Sequence, residues 1–509
     1  MLKKAMTIPQ NDYSGGMNSA ENPLKVKLNE SPDCANVHSN AFGSIEKRKG
    51  KTALNTTAAS GGDIGYASMD FEITATSRKL VAIFDETLHK MDDIDGTWDP
   101  ITMTVAMGVG RAELRQYTKM LVMASHISGN VQRWDGSAGA TATISGSAAF
   151  KYIWPDDTTG RLWACGLASN EGIAFFTPVN TLSFDTTNDK IQVTNTGTLL
   201  GFRSLKGRLY AFSAEGWFRI DDLGGNPRFG ARWVCGPGTL SPESVQLVNL
   251  SSVGEVLMYL DTNRQLRVFS GTDTARVSFK FDHRAYTSQA HSLDRVNTSR
   301  LDDVFATVYP ARNWYMLHYS EDSGNTNNNC MIYDVNALSG WPFTKVAAST
   351  ATMARDANDT QRLYQTGYTG ITWQADSGTE DDGSTIPSHY DLARQPSAED
   401  AQRRGLLHKW REIMLTLKAT GGYTLDVGVR MDFETSFRKI HDASLSGVGA
   451  VLGAFILGTD TLGGQEAVLV PVGIDRLGKM CQIRLSDNSG NPAWQLFGDE
   501  TSARPLGVY

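Results

Sequence analysis

Paired cysteines, helix-forming stretches, long apolar runs and an excess of basic charge are what this sequence has least of. Its five cysteines, Cys34, Cys165, Cys235, Cys330 and Cys481, are odd in number and far apart, with no CxxC pair. That excludes the usual zinc and redox spacings and suits reduced, buried thiols in a protein assembled in a cytosol. The opening MLKKAMTIPQNDY has two lysines but no apolar stretch after them, so it does not read as a secretory signal. One glycine-spaced apolar run, GVGAVLGAFILG at 447–458, is about a dozen residues long. A membrane-spanning helix needs roughly 20. The run is therefore expected to be a buried strand or loop, with an exposed apolar tip as the alternative.

Net charge is −7, from 48 basic and 55 acidic residues. A chain of that sign does not grip nucleic acid through its phosphates, which takes clustered Lys and Arg. It could still line a pore that DNA passes through, because like charge discourages sticking. Enzyme signatures are missing as well: there is no Walker loop, Gly-x-Ser-x-Gly elbow or His-Glu-x-x-His pair. His283 and His291 have no metal-ligand spacing. Asp92, Asp93, Asp95 and Asp99 surround Gly96 in an order that does not match an EF-hand, and they read as a solvated turn. The sequence thus predicts no catalytic residue, no metal site and no cofactor.

What is present is a β-rich composition: 40% apolar residues, enough for a core, with 49 glycines and abundant Thr, Ser, Asn and Asp. The pattern is clearest in CGPGTLSPESVQLVNLSSVGEVLMYLDTNRQLRVFSG, residues 235–271, where two apolar runs flank an Asp-Thr-Asn-Arg turn. That is a hairpin. Similar runs recur with Leu80, Leu121, Leu162, Leu209, Leu257, Tyr315 and Leu363 as markers, at steps of 41, 41, 47, 48, 58 and 48 residues. Most precede a second, aromatic-bearing strand such as Trp217-Phe218-Arg219-Ile220 or Met331-Ile332-Tyr333. A strand pair repeated at a period in the forties is the pattern of β-propeller blades, which bury their faces by packing round an axis.

The expected fold is therefore all-β: residues 1–60 an extended N-terminal arm, 61–375 a β-propeller of about seven blades (six to eight), 376–405 a polar linker, and 406–509 a C-terminal β-sandwich-like domain. In the arm, Lys47, Arg48, Lys49 and Lys51 form a basic patch, read as a solvated turn or as part of an arm tying one subunit to its neighbour. The residues singled out for partner contact are Tyr13, Lys47, Arg48 and Lys49 in the arm, and Leu452, Phe455 and Ile456 in the apolar run.

Three segments together carry a family resemblance. The first is Tyr13-Ser14-Gly15-Gly16-Met17-Asn18, followed by Asn36-Val37 and by Gly43-Ser44-Ile45-Glu46-Lys47-Arg48-Lys49-Gly50. The second is Gly238-Thr239-Leu240-Ser241-Pro242-Glu243-Ser244-Val245 with Leu266 to Gly271. The third is Tyr309-Pro310-Ala311-Arg312-Asn313-Trp314-Tyr315 with Ile332-Tyr333-Asp334-Val335 and Trp341. Across about residues 11 to 375 the chain resembles the β-propeller tail nozzle and tail-tube proteins of short-tailed bacteriophages. The resemblance implies a structural virion protein: a homohexameric ring below the head-to-tail adaptor that continues the DNA channel and supports tail fibres or spikes. It implies a location in the virion tail, with assembly in the host cytoplasm and no catalytic residues to carry over.

The alternative is a glycan-binding or glycan-cleaving propeller of the sialidase kind. Phe218-Arg219-Ile220 matches the start of its Phe-Arg-Ile-Pro motif, but Asp221 stands where proline is required. Asp95-Gly96-Thr97-Trp98 matches its Asp-box only in part. Cleavage would need paired carboxylates in an axial pocket.

Overall fold

The computed structural model describes residues 6–21, 25–59, 62–74, 77–137, 139–194, 197–225, 228–285, 291–356, 358–394, 406–432, 434–446, 467–489 and 493–507. Among them the chain is nearly all-β, helical only in short 3-10 turns.

Seven four-stranded antiparallel sheets follow one another from Gly65 to Ala375. Numbered in order, they begin with the strands Gly65–Thr74, Ala112–Tyr117, Tyr152–Asp156, Leu199–Leu205, Gln246–Leu250, Phe305–Tyr309 and Thr350–Arg355. These first strands lie side by side round a common axis, and that of sheet 7 meets that of sheet 1, so the circuit closes. The arrangement is propeller-like.

All the sequence markers fall on second strands. Leu80, Leu121, Leu162, Leu209, Leu257, Tyr315 and Leu363 are each buried. The reason is packing: one face of each second strand meets the preceding sheet and the other the following one. Such strands read as unbroken apolar runs instead of alternating ones. Each fully buried leucine contributes roughly 1.5–3 kcal/mol of transfer free energy. The hairpin first seen in the sequence pairs Gly254–Leu260 with Leu266–Phe269. Its turn is set by Asp261, whose carboxylate accepts from the N–H groups of Asn263 and Gln265 at 2.8 Å each. Arg264 takes the left-handed conformation there, with φ of 62°.

The described residues within 1–60 and 376–405 differ from the sequence reading. The N-terminal segment is woven through the fold instead of forming a separate arm. Lys51–Ala53 is the fourth strand of sheet 7, antiparallel to Thr372–Ala375. Met6–Gln10 and Ile45–Lys47 both pair with Gln495–Gly507, and Cys34–Ala35 pairs with Ser388–Arg394. That last strand lies within the stretch read as linker. It forms seven consecutive pairs with Cys481–Asp487.

The rest of the chain builds a second body from two sheets. One runs Ala467–Gly478, Leu407–Lys418, Gln495–Gly507, Ile45–Lys47, Val37–Ser39; the other runs Arg438–Ser444, Thr424–Met431, Cys481–Asp487, Ser388–Arg394, Cys34–Ala35. Alternation along Leu407–Lys418 sends Trp410 inward with Ile413, Leu415 and Leu417. They share one core with Leu425, Val427, Val429, Ile483 and Leu485 of the facing sheet. The same core continues without a break into sheets 5 to 7, through Trp314, Tyr333, Trp341 and Tyr390. Trp341 stacks on Tyr390 at 6.5 Å, and Tyr13 meets Tyr390 edge-on at 5.9 Å. The two bodies are therefore packed as one.

Candidate functional site

The first strands surround an axial cavity of about 480 Å³. Its lining combines apolar side chains (Met69, Leu114, Leu247, Val308, Met353) with Arg111, Arg115, Arg203, Glu243 and the aromatics Tyr66, Trp154 and Phe305. First strands alternate, so one side chain in two faces a neighbouring sheet and the next faces the axis.

Polar groups on these strands bond across every seam of the circuit. Gln116 of sheet 2 donates to the Glu72 carbonyl of sheet 1 at 2.6 Å, and the Ile153 N–H of sheet 3 donates to Glu113 of sheet 2 at 2.7 Å. Trp154 Nε1 of sheet 3 donates to Ser204 of sheet 4 at 3.0 Å. Arg203 of sheet 4 donates to the carbonyls of Val245 (3.0 Å) and Pro242 (3.1 Å) ahead of sheet 5. Gln246 reaches the Ala306 carbonyl of sheet 6 at 2.9 Å, and Thr307 the Ala351 carbonyl of sheet 7 at 3.2 Å. Ser68 of sheet 1 meets Thr350 of sheet 7 at 3.2 Å, completing the circle. Arg111, which precedes the first strand of sheet 2, goes further. Its guanidinium donates to the Ser349 and Asp303 carbonyls ahead of sheet 7 and sheet 6, bridging the axis itself.

Beside the cavity sit three donor groups: Glu113 on the first strand of sheet 2, His126 just after its second strand, and Glu243 in the 3-10 turn before sheet 5. One ligand atom from each lies within 4.8 Å of the other two. Burial pushes the Glu113 carboxyl up, while Arg115 opposes it. Burial acts the same way on Glu243, but Arg115, Arg203 and a hydrogen bond from Glu113 outweigh it and hold that carboxyl down. The pair is thus arranged to share one proton, as close carboxylates do. His126 stays neutral: burial, the largest cause, holds it at about 4. Arg203 lies over Trp154 at 4.6 Å and Arg115 at 5.1 Å.

The residues singled out for partner contact are distributed otherwise. Tyr13 is fully buried, its hydroxyl donating to Asp499 at 2.6 Å. Lys47 is buried and paired with Asp487 at 2.7 Å. Arg48 is buried in a bidentate pair with Asp381, at 2.9 and 2.5 Å. Lys51 lies 3.8 Å over the Trp373 ring. The basic patch is therefore a set of internal ties, a correction to both sequence readings of it, and only Lys49 is exposed. An alternating strand places successive side chains on opposite faces, and here the faces inward of both bodies take the charges. The acids that match them, Asp381 and Asp487, lie more than 300 residues away in the sequence. Leu452, Phe455 and Ile456 lie outside the described residues.

Of the weaker motifs, Asp92 is held by Lys79 and by Lys90, the latter at 2.6 Å. Arg219 pairs with Asp221 at 2.6 Å on the third strand of sheet 4, away from the axis. Glu113, His126 and Glu243 were not singled out from the sequence. Their spacing matches no ligand motif, and only the closed circuit brings residue 243 to residue 113.

No protein-family model matches the chain, and no curated protein sequence matches it. Among solved structures it is similar to the extracellular domain of BT4673 from B. thetaiotaomicron, at 8% identity and a TM-score of 0.43. That match covers 80% of this chain and spans 57% of that one. It is also similar to the Cps50 (Swd1) β-propeller domain from Myceliophteria_thermophila, at 11% identity and a TM-score of 0.41, covering 64% of this chain and 99% of that one. Likenesses of this grade carry no argument about function.

Proposed function

We propose that this chain is a seven-bladed β-propeller with a composite two-sheet body, and that it serves as a non-enzymatic ring subunit of a phage tail. In this reading six copies form a nozzle or tail tube below the head-to-tail adaptor, continue the DNA channel and carry fibres or spikes. The virion is its location, and its partners are itself, the adaptor, the fibre or spike proteins and DNA in transit.

The observation that carries the reading is how the axial polar groups are used. Arg203 has three backbone carbonyls as partners, counting that of Phe202, and Arg111 has two across the axis. These groups are engaged in closing the circuit. Duplex DNA, whose major groove alone is about 12 Å wide, does not thread an axis bridged by one arginine. Any conduit therefore runs between subunits, as a head-to-tail ring provides. A net charge of −7 suits a passage that does not retain phosphates. The arm motifs of the sequence point the same way.

The glycan-cleaving alternative has one observation in its favour, the carboxylate pair beside an aromatic-lined cavity. Glu113, however, is 1% exposed and sits behind Glu243, so the two do not flank an open cleft as glycoside hydrolysis requires.

Negative-stain imaging of the purified chain, alone at high concentration and with its adaptor ring, tests the proposal. Six-fold rings with an axial hole are expected. A strictly monomeric particle under both conditions would overturn it. Hydrolysis of host surface polysaccharide, lost in Glu243→Gln, would establish the alternative.

A further inference from the structure

We propose that Glu113, His126 and Glu243 bind a divalent transition metal, Zn²⁺ in kind, which ties sheet 2 to the turn leading into sheet 5 across the axial cavity. The first ground is geometric. Three donor atoms from two distant parts of the sequence converge within 4.8 Å of one another. Round a metal with bonds of about 2.0–2.2 Å, donors sit about 3.3–3.6 Å apart. Closure therefore draws these atoms in by about 1 Å, within the reach of side-chain torsions.

The second ground is independent of the clustering. His126 Nε2 is a buried atom without a hydrogen-bond partner. Most buried polar atoms in folded proteins have a partner. Arg115 pairs with the two carboxylates but leaves the imidazole unmet. Its Nη2 stands 3.4 Å from Glu113 and 3.8 Å from Glu243, and its own Nε is unpartnered. Arg203 is engaged by backbone carbonyls.

The donors are also held in place. Glu113 accepts from the Ile153 N–H at 2.7 Å, and the backbone N–H of His126 donates to the Arg111 carbonyl at 2.9 Å. The turn bearing Glu243 is fixed on both sides, by Arg203 on the Pro242 carbonyl at 3.1 Å and by the Tyr315 hydroxyl on the Ser244 carbonyl at 2.7 Å. Ligands on rigid elements make a site more precise than ligands on loops. The donor chemistry selects the metal. One imidazole with two carboxylates suits zinc and its first-row neighbours, whereas calcium and magnesium favour all-oxygen sets. Glu243 lines the cavity, which gives the ion a path in and leaves room for a water as fourth ligand. The site does not depend on the tail reading.

The test is calorimetric titration of the full chain with ZnCl₂ after treatment with EDTA. One tight zinc per chain is expected, weakened at least tenfold in His126→Ala and in Glu243→Gln. His441→Ala, an exposed histidine in the other body, should leave it unchanged. Co²⁺ in place of zinc should give the visible ligand-field bands of a low-coordinate site, lost in His126→Ala. Zinc, and not magnesium, should raise the thermal midpoint of the unmodified chain, reversibly with EDTA. Absence of zinc binding, or equal binding by both variants, would overturn the proposal. Should neither variant fold, the unmodified chain decides: no Co²⁺ bands and no zinc-dependent midpoint shift would overturn it equally.

Discussion

The circuit of seven sheets and the composite body are made of the same kind of strand but wired oppositely. In the circuit, strands pair with sequence neighbours through short turns; the exception is the last sheet, completed by Lys51–Ala53. Among the described residues of the N-terminal segment, local partners are confined to the Val37–Ser39 and Ile45–Lys47 hairpin and the short parallel pair of Gly16–Met17 with Glu30–Ser31. Met6–Gln10 depends on residues 499–503, and Cys34–Ala35 on residues 389–390. Local wiring tolerates the loss of single contacts, because each sheet has two flanks. Non-local wiring concentrates the whole assembly on a few ties.

That contrast can be broken most severely by deleting residues 1–53. Sheet 7 would lose its fourth strand and the two sheets of the body four strands, three of them paired with retained ones. The expected result is insoluble chain or a loss of cooperative unfolding by circular dichroism, and a stable soluble product would refute the keystone role. Next comes Lys47→Ala, which strands Asp487 in a site where its side chain is 5% exposed. Breaking a buried pair in this way costs about 3–5 kcal/mol, read as a fall in the urea midpoint. A paired Lys47→Met, Asp487→Leu change should recover most of it.

Acid should loosen the junction between the two regions. His38 is buried, with Glu46, Arg312 and Asp376 as its charged neighbours, and burial lowers it to about 4. His318, stacked on Phe305 at 4.6 Å, is lowered to about 3 by burial first, then by Lys51 and Arg111. Both are neutral when folded, whereas the unfolded chain takes protons near pH 6.5. Their neutral burial costs nothing above about pH 6.5, and stability falls as pH drops from there toward 4, by up to a few kcal/mol for each histidine. A urea series from pH 7 to 4.5 measures the slope, and His318→Leu should flatten it.

Smaller effects are expected inside the circuit. Gln246→Leu removes one seam bond and should cost about 0.5–1.5 kcal/mol. A much larger loss would mean that the seams, not the packing of second strands, hold the circuit. Lys49→Ala, at the exposed member of the former patch, should change stability by less than about 0.5 kcal/mol.

What could be read from the sequence follows the same division. Second strands were legible because both of their faces are apolar, so Leu121 and Leu257 announce themselves. First strands were not. Arg111, Glu113 and Arg115 alternate with Ala112 and Leu114, and charged positions facing a seam look like a solvated edge until the circuit is closed. The basic residues at 47, 48 and 51 misled for the same reason. A buried charge differs from an exposed one only through its partner, and Asp487 and Asp381 are not near them in sequence. The cluster of Glu113, His126 and Glu243 combines both difficulties.

One consequence concerns the order in which the molecule comes into being. Met6–Gln10 and Ile45–Lys47 are made well before their shared partner, Gln495–Gly507. At roughly 5–20 residues per second, the early strands wait about 25–100 s on the ribosome before that partner exists. Sheets 1 to 6 can form meanwhile, each on its own neighbours. Sheet 7 gains its closing strand only by reaching back to Lys51–Ala53. A half-made chain therefore lacks both its clasp and its second body, and surfaces that need either do not exist until synthesis has passed residue 507.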